Sequence, residues 1–253
     1  MKEHASIPYG LIVVSPPRCG STFVYNVCAE ILSAFSMPLE RKGYAERWPI
    51  SLGSGNGTDV ALWKTHDIQG VREISGVRVI FVFRDVLEQC LSGRKMFGWT
   101  FEAIEEQAEH AMKAQLFLEG KDVIFYHYCD ESVRDEASVQ ELAFQILNSR
   151  LSKSDAEAIL ERVRGSSMLK PALAQRASAK LRTMARSALG RPVFKVFPPS
   201  IRKAITSVLP PPYDRTTLFH VGHRTSARAV NDADRAKIEN IVVRTRERLS
   251  VGG

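Results

Sequence analysis

Cysteine is scarce and scattered in this chain: four residues, at positions 19, 28, 90 and 129, with no paired or zinc-like spacing. That excludes a disulfide framework and a zinc module, and it points to a reducing compartment, the cytoplasm. Long apolar runs are missing as well. The N-terminal residues lead only into the five-residue run Gly10 to Val14, and nowhere do eighteen apolar residues stand together, so neither a signal peptide nor a membrane span is expected. No His/Cys cluster or carboxylate pair has metal-ligand spacing, so no metal is expected. Basic residues are not interleaved with aromatic ones as a base-stacking platform, which sets nucleic acid aside as a partner. What remains is an ordinary globular composition, 44% hydrophobic and 25% charged over 253 residues, enough to fill one domain spanning 1–253.

Acidic residues are absent from one long stretch. Residues 166–213 hold nine Lys or Arg and no Asp or Glu, and removing those nine from the net +7 leaves the rest of the chain slightly negative. Within 172–189, Leu173, Ala177, Leu181 and Met184 fall on one side of a helical projection, with Arg176, Lys180, Arg182 and Arg186 on the other. A second short apolar spacing, Ile201 to Leu209, is bounded by Pro198-Pro199 and Pro210-Pro211-Pro212. Read as a basic helical insertion, 166–213 suits an anionic membrane surface or a polyanionic acceptor, and equally a solvated face packed on the domain.

Phosphate chemistry enters at Val13-Val14-Ser15-Pro16-Pro17-Arg18-Cys19-Gly20-Ser21-Thr22. Gly10 to Val14 is short, apolar and β-branched, as a buried parallel strand requires, and Phe23, Val27, Ile31 and Leu32 recur at helical spacing afterwards. The turn between them ends on a helix start, where unpaired backbone N–H groups and the positive end of the macrodipole stabilise an anion. Ser21 and Thr22 add hydroxyl donors, and Arg18 a forked cation. The triphosphate-binding pattern G-x-x-x-x-G-K-[ST] is broken, because Ser15 stands for its first Gly and Ser21 for its Lys. Cys19 has no neighbouring His in sequence to activate it and reads as a small loop residue rather than a nucleophile.

Two later segments repeat a strand that ends in cationic or titratable residues. They are Val60 to Asp67, with Lys64-Thr65-His66, and Val77 to Asp85, with Arg84 followed by a helical stretch carrying Ser92. In an open parallel sheet, ligands sit outside the carboxyl ends of the strands, so Arg18, Lys64, His66 and Arg84 are expected on one edge. Further on, Phe101–Glu119, a stretch from Val139 to Leu147, Ser154 to Val163 with Ser154 as cap, and Asp232 to Leu249 read as helices, and Val123 to Tyr126 as a strand. The expected fold is α/β: a single domain with a mostly parallel central sheet, helices on both faces and a P-loop-like phosphate-binding turn.

Together these segments resemble the sulfotransferases that use 3′-phosphoadenosine 5′-phosphosulfate (PAPS). Pro17-Arg18-Cys19-Gly20-Ser21-Thr22 is similar to their 5′-phosphosulfate loop, with Cys in place of the usual Ser; Arg84 and Ser92 have the spacing of their 3′-phosphate pair; Lys64-Thr65-His66 is similar to their Lys-x-His. The resemblance covers the first hundred residues and implies PAPS as co-substrate, with PAP as its product, and a hydroxyl acceptor, with a carbohydrate or lipid-linked glycan favoured by the basic stretch. It implies Arg18, Cys19, Gly20, Ser21, Thr22, Arg84 and Ser92 as nucleotide-binding, and His66, Lys64 and Arg18 as catalytic. Relatives acting on tyrosine or sugar hydroxyls use a Glu soon after the first helix, which keeps Glu40 and Glu46 open as bases beside His66. The late Arg-Lys-Gly loop of the family is absent here; Arg224, in Gly222-His223-Arg224, is the nearest substitute, with Arg228 as its rival. Two other functions stay open: a non-catalytic nucleotide-binding protein that docks on a membrane or partner, and a kinase with a degenerate phosphate loop.

Overall fold

The computed structural model describes residues 9–48, 59–71, 73, 76–129, 135–168 and 230–251. Among these residues five strands form one parallel sheet: β1 (Gly10–Val14), β2 (Leu39–Ala45), β3 (Val60–Thr65), β4 (Val77–Phe83) and β5 (Ile124–His127), in the order β2-β3-β1-β4-β5. Among the described residues, six helices surround it: α1 (Ser21–Ala34), α2 (Val86–Phe97), α3 (Phe101–Leu118), α4 (Glu136–Leu147), α5 (Lys153–Met168) and α6 (Asp232–Val251).

The central strand explains the layering. Each of Leu11 to Val14 is fully buried because β1 is covered on both faces, as parallel strands are. Side chains alternate across a strand, so Leu11 and Val13 join a core with α1, α4 and α5, while Ile12 and Val14 join Trp63, Phe81 and the end of α3 on the other face. Beyond α3, a third apolar layer of Cys90, Ile104, Ala108, Ile238 and Val242 holds α2, α3 and α6 together. Arg94 of α2 binds Asp234 of α6 through Nε at 3.0 Å and Nη2 at 2.8 Å and donates from Nη1 to the Trp99 carbonyl, which fixes the start of α6 against the end of α2. Among the described residues, no helix is long and apolar enough to cross a membrane.

Within the described residues the expected strands and helices are present, with three differences. The strand expected at Val123 to Tyr126 runs one residue later, from Ile124 to His127. The fifth helix is capped by Ser152 rather than Ser154: Ser152 Oγ accepts from the Asp155 N–H at 3.1 Å, and Ser154 lies inside the first turn. β2 is an element the hydrophobic pattern does not announce. Its sequence Leu-Glu-Arg-Lys-Gly-Tyr-Ala is mostly polar because it is an edge strand, only Gly43 is buried, and the pairing shifts between Arg41 and Gly43. The first residues of the basic stretch 166–213 complete α5; its remainder, with Arg224 and Arg228, lies outside the described residues.

Candidate active site

Register places the motif residues. Val14 pairs with Thr65 on one side and Phe81 on the other, so the residues that follow these three strands leave the sheet at the same carboxyl edge. The sheet order reverses around β1, and in open parallel sheets that reversal, at the carboxyl edge, is where ligands bind.

The turn after β1 is built from two left-handed residues. Arg18 has φ of 71° and Gly20 φ of 83°. Gly20 is required for a second reason: a Cβ there would lie 2.3 Å from the Tyr128 ring, which lies over the turn. No side chain caps the start of α1, and no acidic residue occupies its first turn, so among the described residues the positive end of its dipole has no capping side chain.

Arg18 and Ser92, 74 positions apart in sequence, meet here. Arg18 donates to Ser92 Oγ from Nε at 3.2 Å and Nη2 at 2.9 Å, and its guanidinium lies 5.1 Å from the centre of the Phe97 ring. Burial and then the charge of Arg84 hold the Arg18 pKa below the usual range, so two guanidiniums repel across this corner. Arg84 has Glu88 at 3.0 Å and the Tyr128 ring at 5.6 Å. On the other side of the turn, Lys64 Nζ donates to Thr22 Oγ1 at 2.7 Å. A helix start without a side-chain cap, two mutually repelling Arg and Lys64 of β3 bonded to Thr22 form a donor set suited to an anion carrying more than one phosphate.

His66 is placed by a contact that the sequence does not advertise. Its Nδ1 lies 2.7 Å from the Ser15 carbonyl, and the Ser15 N–H extends the ladder to the Thr65 carbonyl at 3.3 Å. A carbonyl only accepts, so Nδ1 carries the proton and the Nε2 lone pair is left as the basic atom. Burial pushes the imidazole pKa down to about 4; the Ser15 bond acts in the opposite sense, and the charges of Lys64 and His110 lower it further. The ring is therefore neutral at physiological pH. Tyr44, half exposed at the end of β2, stands beside it with ring centres 5.4 Å apart.

Of the two alternative carboxylates, Glu40 is removed from the site. It sits near the amino end of β2, opposite Ala61, and pairs with Lys42 at 2.5 Å, at the far edge of the sheet from His66. Glu46 follows β2 at the correct edge, and its charge raises the phenol pKa of Tyr44 after the larger effect of burial. Cys19 is buried, and its thiol is pushed up to about 12 by that burial, which disfavours the thiolate a nucleophile needs. Among the described residues, no three His, Cys, Asp or Glu side chains gather as a metal site. A groove of about 480 Å³ between α3, β5 and α6, lined by Met112, Leu116, Phe125 and Arg246, contains none of the motif residues.

Sequence reasoning gives no part in the site to the Ser15 carbonyl, Tyr128 or Gln89. Tyr128 follows β5 at the same carboxyl edge and was open to the strand-end rule. Gln89 stands three positions before Ser92 on one helix face. The carbonyl of Ser15 leaves no trace in a sequence.

No protein-family model matches the chain, and no curated protein matches it. Solved structures do. Retinol dehydratase in complex with androsterone and the inactive cofactor PAP superposes with a TM-score of 0.51 at 13% identity, over 96% of this chain and 82% of that one. A second retinol dehydratase structure, with retinol and PAP, gives 0.43 at 15% identity over 63% and 66%, and mouse sulfotransferase SULT7A1 with PAP gives 0.44 at 14% over 79% and 82%. At such identities what is shared is architecture, and this chain has the α/β fold of the retinol dehydratase structure.

Proposed function

We propose that the protein transfers a sulfo group from PAPS to a hydroxyl acceptor. The observation that carries this reading is the contact of Arg18 with Ser92 at 2.9 Å: it sets the turn that suits a 5′-phosphosulfate against the pair that suits a 3′-phosphate, within the span of one nucleotide. PAPS supplies an activated sulfo group on a 5′-phosphate oxygen. As the acceptor oxygen bonds to sulfur, the bond from sulfur to that phosphate oxygen breaks, its electron pair stays on PAP, and the acceptor proton passes to His66 Nε2.

Each side chain has one task in this scheme. Arg84 and Ser92 grip the 3′-phosphate, while Lys64 and the backbone of Gly20 to Thr22 hold the 5′ end. Arg18, which reaches Ser92 from the turn, neutralises charge on the departing oxygen. Ser15 keeps the proton on Nδ1 of His66, so that Nε2 faces its task unprotonated. Glu46 is the alternative base. For the acceptor we favour a carbohydrate or lipid-linked glycan hydroxyl, met in the cytoplasm at an anionic membrane face; the support is the charge of 166–213 alone, nine cations with no acid.

Thermal unfolding with PAP, PAPS, ADP and ATP, the latter two with and without magnesium, tests the nucleotide. A ligand at about a hundred times its Kd stabilises the folded state by about 2.7 kcal/mol, and a rise in Tm is expected with PAP and PAPS only. PAP release is then followed against phenols, sterols, monosaccharides and glycolipids in anionic vesicles. Magnesium-dependent ATP consumption would refute the reading in favour of a kinase, and tight PAP binding without turnover on any acceptor would leave a binding protein.

A further inference from the structure

The helix α2 meets the phosphate turn at three places. Gln89 Nε2 donates to the Pro17 carbonyl at 2.8 Å, Ser92 Oγ accepts from Arg18, and Phe97 lies against the Arg18 guanidinium. Gln89 and Ser92 are three residues apart and share a helix face. The first of these contacts belongs to no motif.

Gln89 is fully buried. Because the Pro17 carbonyl only accepts, the amide is oriented with Nε2 toward it, and Oε1 is left buried with no donor among the described residues. A core amide that is half unsatisfied lowers stability, and an apolar side chain of equal length at this position avoids that loss. Its return is position. Pro17 is followed by Arg18 in the left-handed region, and a non-glycine residue holds such a conformation only where its surroundings impose it. Gln89 grips the residue before Arg18, and Ser92 grips Arg18 itself.

We propose that Gln89 is a positioning residue of the nucleotide site: it fixes the height of the turn relative to Ser92 and Arg84, and the chain carries it for nucleotide affinity at the expense of stability. The proposal rests on the nucleotide reading above. It is tested on the full chain with Gln89→Met, which keeps length and volume, and Gln89→Glu, whose carboxyl can donate to Pro17 only when protonated. For Gln89→Met the expected result is an equal or higher Tm, PAP binding weakened about tenfold, and faster amide exchange at residues 18–22. For Gln89→Glu, PAP affinity relative to the parent recovers as pH is lowered. A drop in Tm with unchanged PAP affinity and exchange makes Gln89 a structural residue and overturns the proposal. If the parent protein binds no PAP, the nucleotide reading fails, and exchange at 18–22 still decides the clamp: unchanged in Gln89→Met, it is refuted; faster, it is upheld.

Discussion

His66 gives this protein a signature on the acid side. Its imidazole titrates near 4 in the folded state, chiefly through burial, whereas a histidine in an unfolded chain titrates near 6.5. Above 6.5 both states hold it neutral and it contributes nothing to the pH dependence. As pH falls below that value, the unfolded chain takes up a proton that the folded one refuses until about 4. Folding stability is therefore lost at about 1.4 kcal/mol per pH unit from this one group, roughly 2 kcal/mol by pH 5 and about 3 kcal/mol across the window. Replacing His66 by Gln removes that slope. His110, also lowered by burial, is present in both proteins and cancels in the comparison. Urea denaturation at pH 7, 6, 5 and 4.5 should show the variant gaining on the parent by about 2 kcal/mol between pH 7 and 5. Activity has a matching form: kcat/KM of the parent stays level down to pH 5 and falls below it, while His66→Gln binds PAP and does not turn over. Parallel stability curves, or an activity break near 6.5, would mean a solvated imidazole and refute the placement of this ring.

Two further outcomes follow from the turn and its neighbours. Arg84→Ala should weaken PAP binding by about 1.5–3 kcal/mol, ten- to a hundredfold, and leave adenosine 5′-phosphate unaffected; titration calorimetry with both ligands checks it, and equal losses would place Arg84 elsewhere on the nucleotide. Gly20→Ala forces an L side chain into the left-handed region, worth about 1–2 kcal/mol, and drives its Cβ into the Tyr128 ring, so PAP binding should be abolished; an unchanged Kd would show that the turn is not the phosphate seat.

What the sequence made legible depended on burial. β1, β3 and β4 are covered by neighbours and wrote themselves as apolar runs, so their ends, and with them Arg18, Lys64, His66 and Arg84, were locatable from pattern and the strand-end rule. β2 lies at the sheet edge, where one row of backbone groups and most side chains meet solvent, and a polar sequence satisfies it as well as an apolar one. That omission left Glu40 and Glu46 looking equivalent, although six residues of strand carry them to opposite edges. Contacts through backbone carbonyls were illegible for a different reason. Ser15 acts on His66, and Pro17 on Gln89, through atoms that every residue possesses, so no choice of side chain records them.

The thiols have a practical consequence for watching this site. Cys19, Cys28 and Cys90 are buried, with thiolates that burial makes hard to form, whereas Cys129 is partly exposed and adjoins Tyr128, the ring that roofs the phosphate turn. An alkylating fluorophore at neutral pH should accordingly attach at one position without any engineered change, and its emission would report ligand arrival a single residue away from that roof.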